Sequence, residues 1–201
     1  MAVDLRSQLQ AMRKGLDLRP DEVDLKMIVP IFTPAAFFAK GNWLGPYDRL
    51  RAPDIGLTWT LLLPDQAMRY VDFAMAGHWD GLGIDWKAMA LQNLAEHTGG
   101  RPFTHGVCRP GGELYSVAFM HPDGMGPSRL LFRAAMSAFF PGGYRIALPE
   151  MSCALAFSAD VDEKERATVE GVISGCYQKG TRPLSPAIYE PDDLLPEPAA
   201  N

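Results

Sequence analysis

Only three cysteines occur in the 201 residues, at positions 108, 153 and 176, and no two are close in sequence. So scattered a set excludes a disulfide-knit scaffold and the paired spacing of a structural zinc site. Cys153 and Cys176 fall in apolar, periodic segments, where free cysteine behaves as a small buried hydrophobe. Cys108 reads as a strand cysteine facing the core, because His105, three residues away, points to the other side of an extended chain. Runs of one charge sign are missing too. With a formal net charge of −5 and no basic run, the chain lacks the clustered Lys and Arg that hold a nucleic-acid backbone. No apolar run approaches the roughly 18 residues of a membrane span. The opening MAVDLRSQLQAMRKGL intersperses acid and base and so excludes a signal peptide. A soluble cytoplasmic protein with no membrane or nucleic-acid partner is expected. Catalytic signatures are equally scarce. No Gly-x-Ser-x-Gly elbow occurs, and Gly124-x-Gly126 stands without the remainder of a phosphate-binding fingerprint, so no cofactor is expected.

What is present is ordinary globular composition, 47% hydrophobic and 21% charged, enough for one sizeable core. The chain is organised around Pro127 to Gly180. Pro127 suits a first helical position, and the largely apolar run from Leu130 to Phe140 predicts a buried helix. Pro141-Gly142-Gly143 turns the chain into two strands, Tyr144–Leu148 and Met151–Ser158, with a break, bulge or turn at Pro149. An amphipathic helix follows, with Asp160 as N-cap, Glu163 completing a capping box, and Val169, Val172, Ile173 and Cys176 on its apolar stripe. Gly180 stops it.

Elsewhere, Val3, Leu5, Leu9 and Met12 predict a helix over 3–15, and the continuous apolarity of Ile55–Leu63 predicts a central strand covered on both faces. Asp85 opens a helix to His97 that carries Trp86, Met89, Ala90, Asn93, Leu94 and His97 on one face. Segments 103–108 and 113–120 form a hairpin around Arg109-Pro110-Gly111-Gly112. The Lys40–Pro53 loop, with Trp43 and Tyr47, reads as a packed surface loop. The structure of residues 25–53 and 66–79 stays open: Leu25–Phe38, broken by Pro30 and Pro34, reads as a strand interrupted by a turn or as an irregular buried segment, and Gln66–Trp79 as a strand or a helix. The expected fold is a single α+β domain over 1–190, mainly antiparallel sheet with helices packed largely on one face, followed by a mobile acidic, proline-containing tail over 191–201.

Ser128-Arg-Leu-Leu at a buried helix start, a strand closing on Ala147-Leu-Pro149, a second strand, a capped helix and Arg182-Pro-Leu-Ser-Pro, together with the Asn93-Leu94 helix, resemble the YtpQ-like family of bacterial proteins across 84–190. Glu150-Met151-Ser152 stands where that family has an Asn-Arg-Asp-like run, so no role of that loop is carried over. The family has no established activity, and the resemblance implies a bacterial origin and a fold rather than a reaction.

Three functions remain in view. The first is a non-catalytic protein acting through a protein partner or self-association, motivated by ten methionines, acidic charge and the apolar N-terminal helix. The alternative is a metal-assisted hydrolase using two His-x-Asp pairs, His78 with Asp80 and His121 with Asp123, since alternate residues of an extended chain point the same way. The second alternative is a small-ligand site near Trp59 and Asn93, the latter a polar member of an apolar helical stripe.

Overall fold

The computed structural model describes residues 18–39, 43–63 and 68–197, so the helix expected over 3–15 lies outside the described residues. Strand β1 (Ile28–Pro34) holds both prolines of the Leu25–Phe38 segment and settles its middle as strand. It tolerates them because it is an edge strand, paired along one side only. A short helix, α1 (Ala36–Ala39), follows, then strand β2 (Tyr47–Arg49) and the long β3 (Ile55–Leu62), buried from Ile55 to Leu61 as its apolarity predicts. β3 pairs with β1 throughout on one side. Its other side is shared end to end by β2 and by β4 (Met68–Tyr70), all antiparallel. The ambiguous stretch after Leu63 thus holds a strand and, from Asp72, a helix, α2 (Phe73–Gly81).

Helix α3 (Trp86–Thr98) opens at Asp85, whose carboxylate accepts from the Ala88 amide at 3.1 Å, and closes at Gly99, which adopts φ 54°. It packs on β1. Asn93 ties it there, its amide donating to the Leu25 and Ile28 carbonyls, both at 2.8 Å. Asn93→Ala therefore removes two buried hydrogen bonds at once. It should lower stability by about 2 kcal/mol, read as a fall in the urea midpoint, and Asn93→Asp should be no better because a carboxylate cannot donate.

The second sheet runs β5 (His105–Cys108), β6 (Leu114–Phe119), β8 (Cys153–Ser158), β7 (Tyr144–Glu150), β9 (Ile188–Tyr189), antiparallel throughout. The β7–β8 register shifts between Ala147 and Glu150, placing the irregularity at Pro149. Between β6 and β7 lies α4 (Arg133–Phe139); after β8 comes α5 (Glu163–Lys179), which seats Val169 and Ile173 against Leu155 and Phe157. One core cluster includes Trp59 and Leu61 of the first sheet with Val117 and Ile146 of the second. The fold is thus a single α+β domain of antiparallel sheets. Among the described residues no helix is long and apolar enough to cross a membrane.

Several expectations are corrected. The helix expected over 127–140 is split into a 3₁₀ turn (Pro127–Leu131) and α4, with Phe132 at ψ 65° between them. Pro127, Ser128, Arg129 and Leu130 are all buried, and four consecutive buried residues suit a tight turn wedged between elements better than a one-sided helix. The cap of α5 is Asp162, reciprocated by Glu165, two residues later than expected. Val161 is buried first, which keeps the chain extended, while Asp160 accepts from Ser158 and pairs with Arg109. Cys108 is exposed, because β5 is the outermost strand and every one of its residues faces solvent. The segment expected to be a loose tail lies along residues 49–52 as far as Glu197, with Leu194 buried and the Glu197 amide donating to the Arg49 carbonyl at 2.9 Å.

Candidate functional site

Where the two sheets meet, a cleft of about 770 Å³ opens. Ile31, Leu62 and Met68 form one wall, and Met125 and Met151 the other, with Tyr70, His97, Asp123 and Arg182 as its polar groups. Pockets of this size, apolar with a few polar groups, are the usual form of a recognition site.

Each wall has a local cause. In Pro122-Asp123-Gly124, Gly124 adopts φ 72°, which turns the chain, and Asp123 Oδ1 accepts from the Met125 amide at 2.9 Å. From beneath, the buried Arg129 donates twice to the same carboxylate, Nη1 to Oδ1 at 3.2 Å and Nη2 to Oδ2 at 2.7 Å. Burial alone would raise the Asp123 pKa, but the hydrogen bonds from Arg129 and Met125 outweigh it and hold the carboxyl below its ordinary value. Asp123 is therefore neutralised from within, leaving the guanidinium of Arg182 as the net charge of the cleft.

The Glu150-Met151-Ser152 turn sets Arg182. Glu150 is buried; its Oε2 accepts from the Ser152 amide at 2.6 Å and its Oε1 from the Arg182 amide at 3.1 Å. The Met151 amide in turn donates to the Arg182 carbonyl at 3.0 Å. The three residues of this turn thus anchor one edge of the cleft. On the opposite edge burial pushes the Tyr70 phenol up, against a downward pull from the charge on Arg182.

The apolar surface continues past Tyr70. The Trp43 ring meets it edge to face at 4.7 Å, and Phe38 meets Trp43 at 5.1 Å and stacks on Tyr47 at 4.1 Å. The neighbouring Leu44 is 74% exposed and Phe73 58% exposed, and the two are joined by a hydrogen bond from the Phe73 amide to the Leu44 carbonyl at 2.9 Å. Met68 and Tyr70 are also exposed.

The residues singled out from sequence are placed otherwise. His78 and Asp80 lie on α2, where residues two apart diverge, and Asp80 accepts from Trp86 Nε1 at 2.9 Å. His121 Nε2 lies 3.0 Å from the Arg101 carbonyl oxygen, and Asp123 belongs to Arg129. The alternation that motivated the hydrolase reading required extended chain at both pairs. Among the described residues no three His, Cys, Asp or Glu side chains gather where they could hold a metal ion. Trp59 and Asn93 are both in the core, Trp59 against Trp86 at 5.2 Å with Lys87 Nζ 4.1 Å from its ring centre.

A buried serine, Ser185, donates to Asp54 Oδ2 at 2.5 Å and receives Tyr189 OH at 2.6 Å, but its complete burial makes this trio a bolt between the sheets. The sequence signal near this cleft is the aperiodic run Tyr70-Val71-Asp72-Phe73, whose apolar residues fit no single buried face because some of them are outside. No family model matches the chain, and no curated protein or solved structure matches it significantly.

Proposed function

We propose that this chain is a non-catalytic binding protein that acts on a partner protein through the exposed strip of Leu44, Phe73, Tyr70 and Met68 and the cleft beside it. The observation that carries this reading is the exposure of Leu44 and Phe73 side by side, contiguous through Trp43 and Tyr70 with a concave, apolar site. Contiguous exposed apolar surface of this kind, bordered by polar groups, is characteristic of association sites. The complementary partner presents an apolar segment carrying a carboxylate, which Arg182 meets at the edge. A second copy of the chain is one such partner.

A photo-crosslinking amino acid at position 73, introduced into the full chain in cells, tests this. A discrete adduct that disappears with Leu44→Asp is expected, and its mass distinguishes a second copy from another protein. Adducts that are absent, or indifferent to Leu44→Asp, overturn the reading. The volume and polar groups of the cleft also favour a second reading, a small apolar anion bound there. It is supported if decanoate, but not decylamine, protects the wild-type chain against heat and Arg182→Gln abolishes the protection.

A further inference from the structure

Cys153, on β8, and Cys176, in the last turn of α5, bring their sulfur atoms to 3.3 Å, and both are free thiols. The elements that carry them are already in place, α5 being held on the sheet by Val169 and Ile173 against Leu155 and Phe157. A disulfide needs its sulfurs at about 2 Å, so closure requires a movement on the order of 1 Å from two side chains that already face each other. We propose that Cys153 and Cys176 form a reversible oxidation site, closed by peroxide to a disulfide that staples α5 to β8. It stands apart from the binding strip and does not depend on that reading.

The two thiols differ in access, and this sets the order of events. Cys176 is half-buried and meets the oxidant; Cys153 is 3% exposed and waits beneath it. Burial, aided by the hydrogen bond with Cys176, pushes the Cys153 thiol up to about 12, so it stays protonated until its partner is oxidised. With hydrogen peroxide, the Cys176 thiolate attacks one peroxide oxygen, the O–O bond breaks, and a sulfenic acid and hydroxide form; the hydroxide takes up the proton that the thiol lost and becomes water. The Cys153 sulfur then attacks the Cys176 sulfur. The S–O bond breaks, the S–S bond forms, and the departing hydroxide takes the Cys153 proton as a second water. The two thiols together lose two electrons and two protons, and peroxide is reduced to two waters. A dithiol reductant reverses the bond by exchange.

The test uses the full chain carrying Cys108→Ser, which removes the exposed thiol that would otherwise form links between molecules. After peroxide, the expected result is a mass lower by about 2 Da, a peptide joining Cys153 to Cys176, and loss of both thiols to alkylation in denaturant, all reversed by dithiothreitol. The melting temperature of the oxidised form should rise by roughly 5 °C or more. In the additional variant Cys176→Ser, Cys153 should remain alkylatable in denaturant after the same treatment. Two thiols still alkylatable in the treated parent, or a Cys176 carried to sulfinic acid without the joined peptide, overturn the site.

Discussion

Asp123→Ala should cost the fold about 3 kcal/mol, measured by urea denaturation at neutral pH. The reason lies in Arg129, whose side chain is only 2% exposed and whose charge, among the described residues, is answered by Asp123 alone. Arg129 Nε already lacks a hydrogen-bond partner among the described residues, so removal of Asp123 adds to an existing deficit. The turn that carries Arg129 touches β1, α3 and β8, and an unpaired charge there loosens the junction of both sheets. The pH dependence has a definite sign. Asp123 has a folded-state pKa below its unfolded one, so its contribution is fully present above the ordinary carboxylate value and is lost as pH falls through the lower, folded value. The gap between wild type and Asp123→Ala should therefore be widest at neutral pH and narrow below about pH 4. A gap under about 1 kcal/mol at neutral pH, or one that does not change on acidification, contradicts the assignment.

Gly126→Ala should be nearly as damaging, at about 3 kcal/mol, for a purely steric reason. A Cβ on Gly126 would stand 2.3 Å from the Phe119 carbonyl oxygen and 2.8 Å from its carbon, both backbone atoms of β6 that cannot swing aside. Gly126 has φ −46° and ψ −57°, an ordinary helical backbone, so alanine is not disfavoured there by conformation and the loss isolates the collision. Gly77→Ala is the control. Gly77 lies in α2 with nothing within 4 Å of the added carbon, and the change should stabilise by roughly 0.5–1 kcal/mol through helix propensity. Melting curves of the two variants should shift in opposite directions; a tolerated Gly126→Ala would mean that the turn and β6 are not packed as described.

Much of this architecture is legible in the residues alone where local chemistry and burial agree. Ile55–Leu62 carries no charged residue because both faces are covered, and α3 carries its cap in the adjacent carboxylate of Asp85. Asn93 is polar in an apolar stripe because two carbonyls wait for it. Other parts are decided by partners distant in the chain. The prolines of β1 mean nothing until β1 is known to be an edge, and Asp162 takes the cap from Asp160 only because Val161 is buried. The cleft was hidden for the same reason. Its walls come from β1, β4, the 122–125 loop, Met151 and Arg182, segments that no periodicity relates. Histidine spacing drew attention to His78 and His121, whereas the proposed binding strip rests on exposed apolar residues beside Tyr70.

The proposed binding strip can be tested most directly by sedimentation velocity of the purified full chain with the partner identified by crosslinking, or with itself when the adduct is a homodimer. Wild type is compared with Leu44→Asp/Phe73→Asp. Both side chains are exposed, so the double variant should melt within a few degrees of wild type while associating at least tenfold more weakly. An equally stable variant that associates as tightly as wild type would show that this surface is not where the protein works.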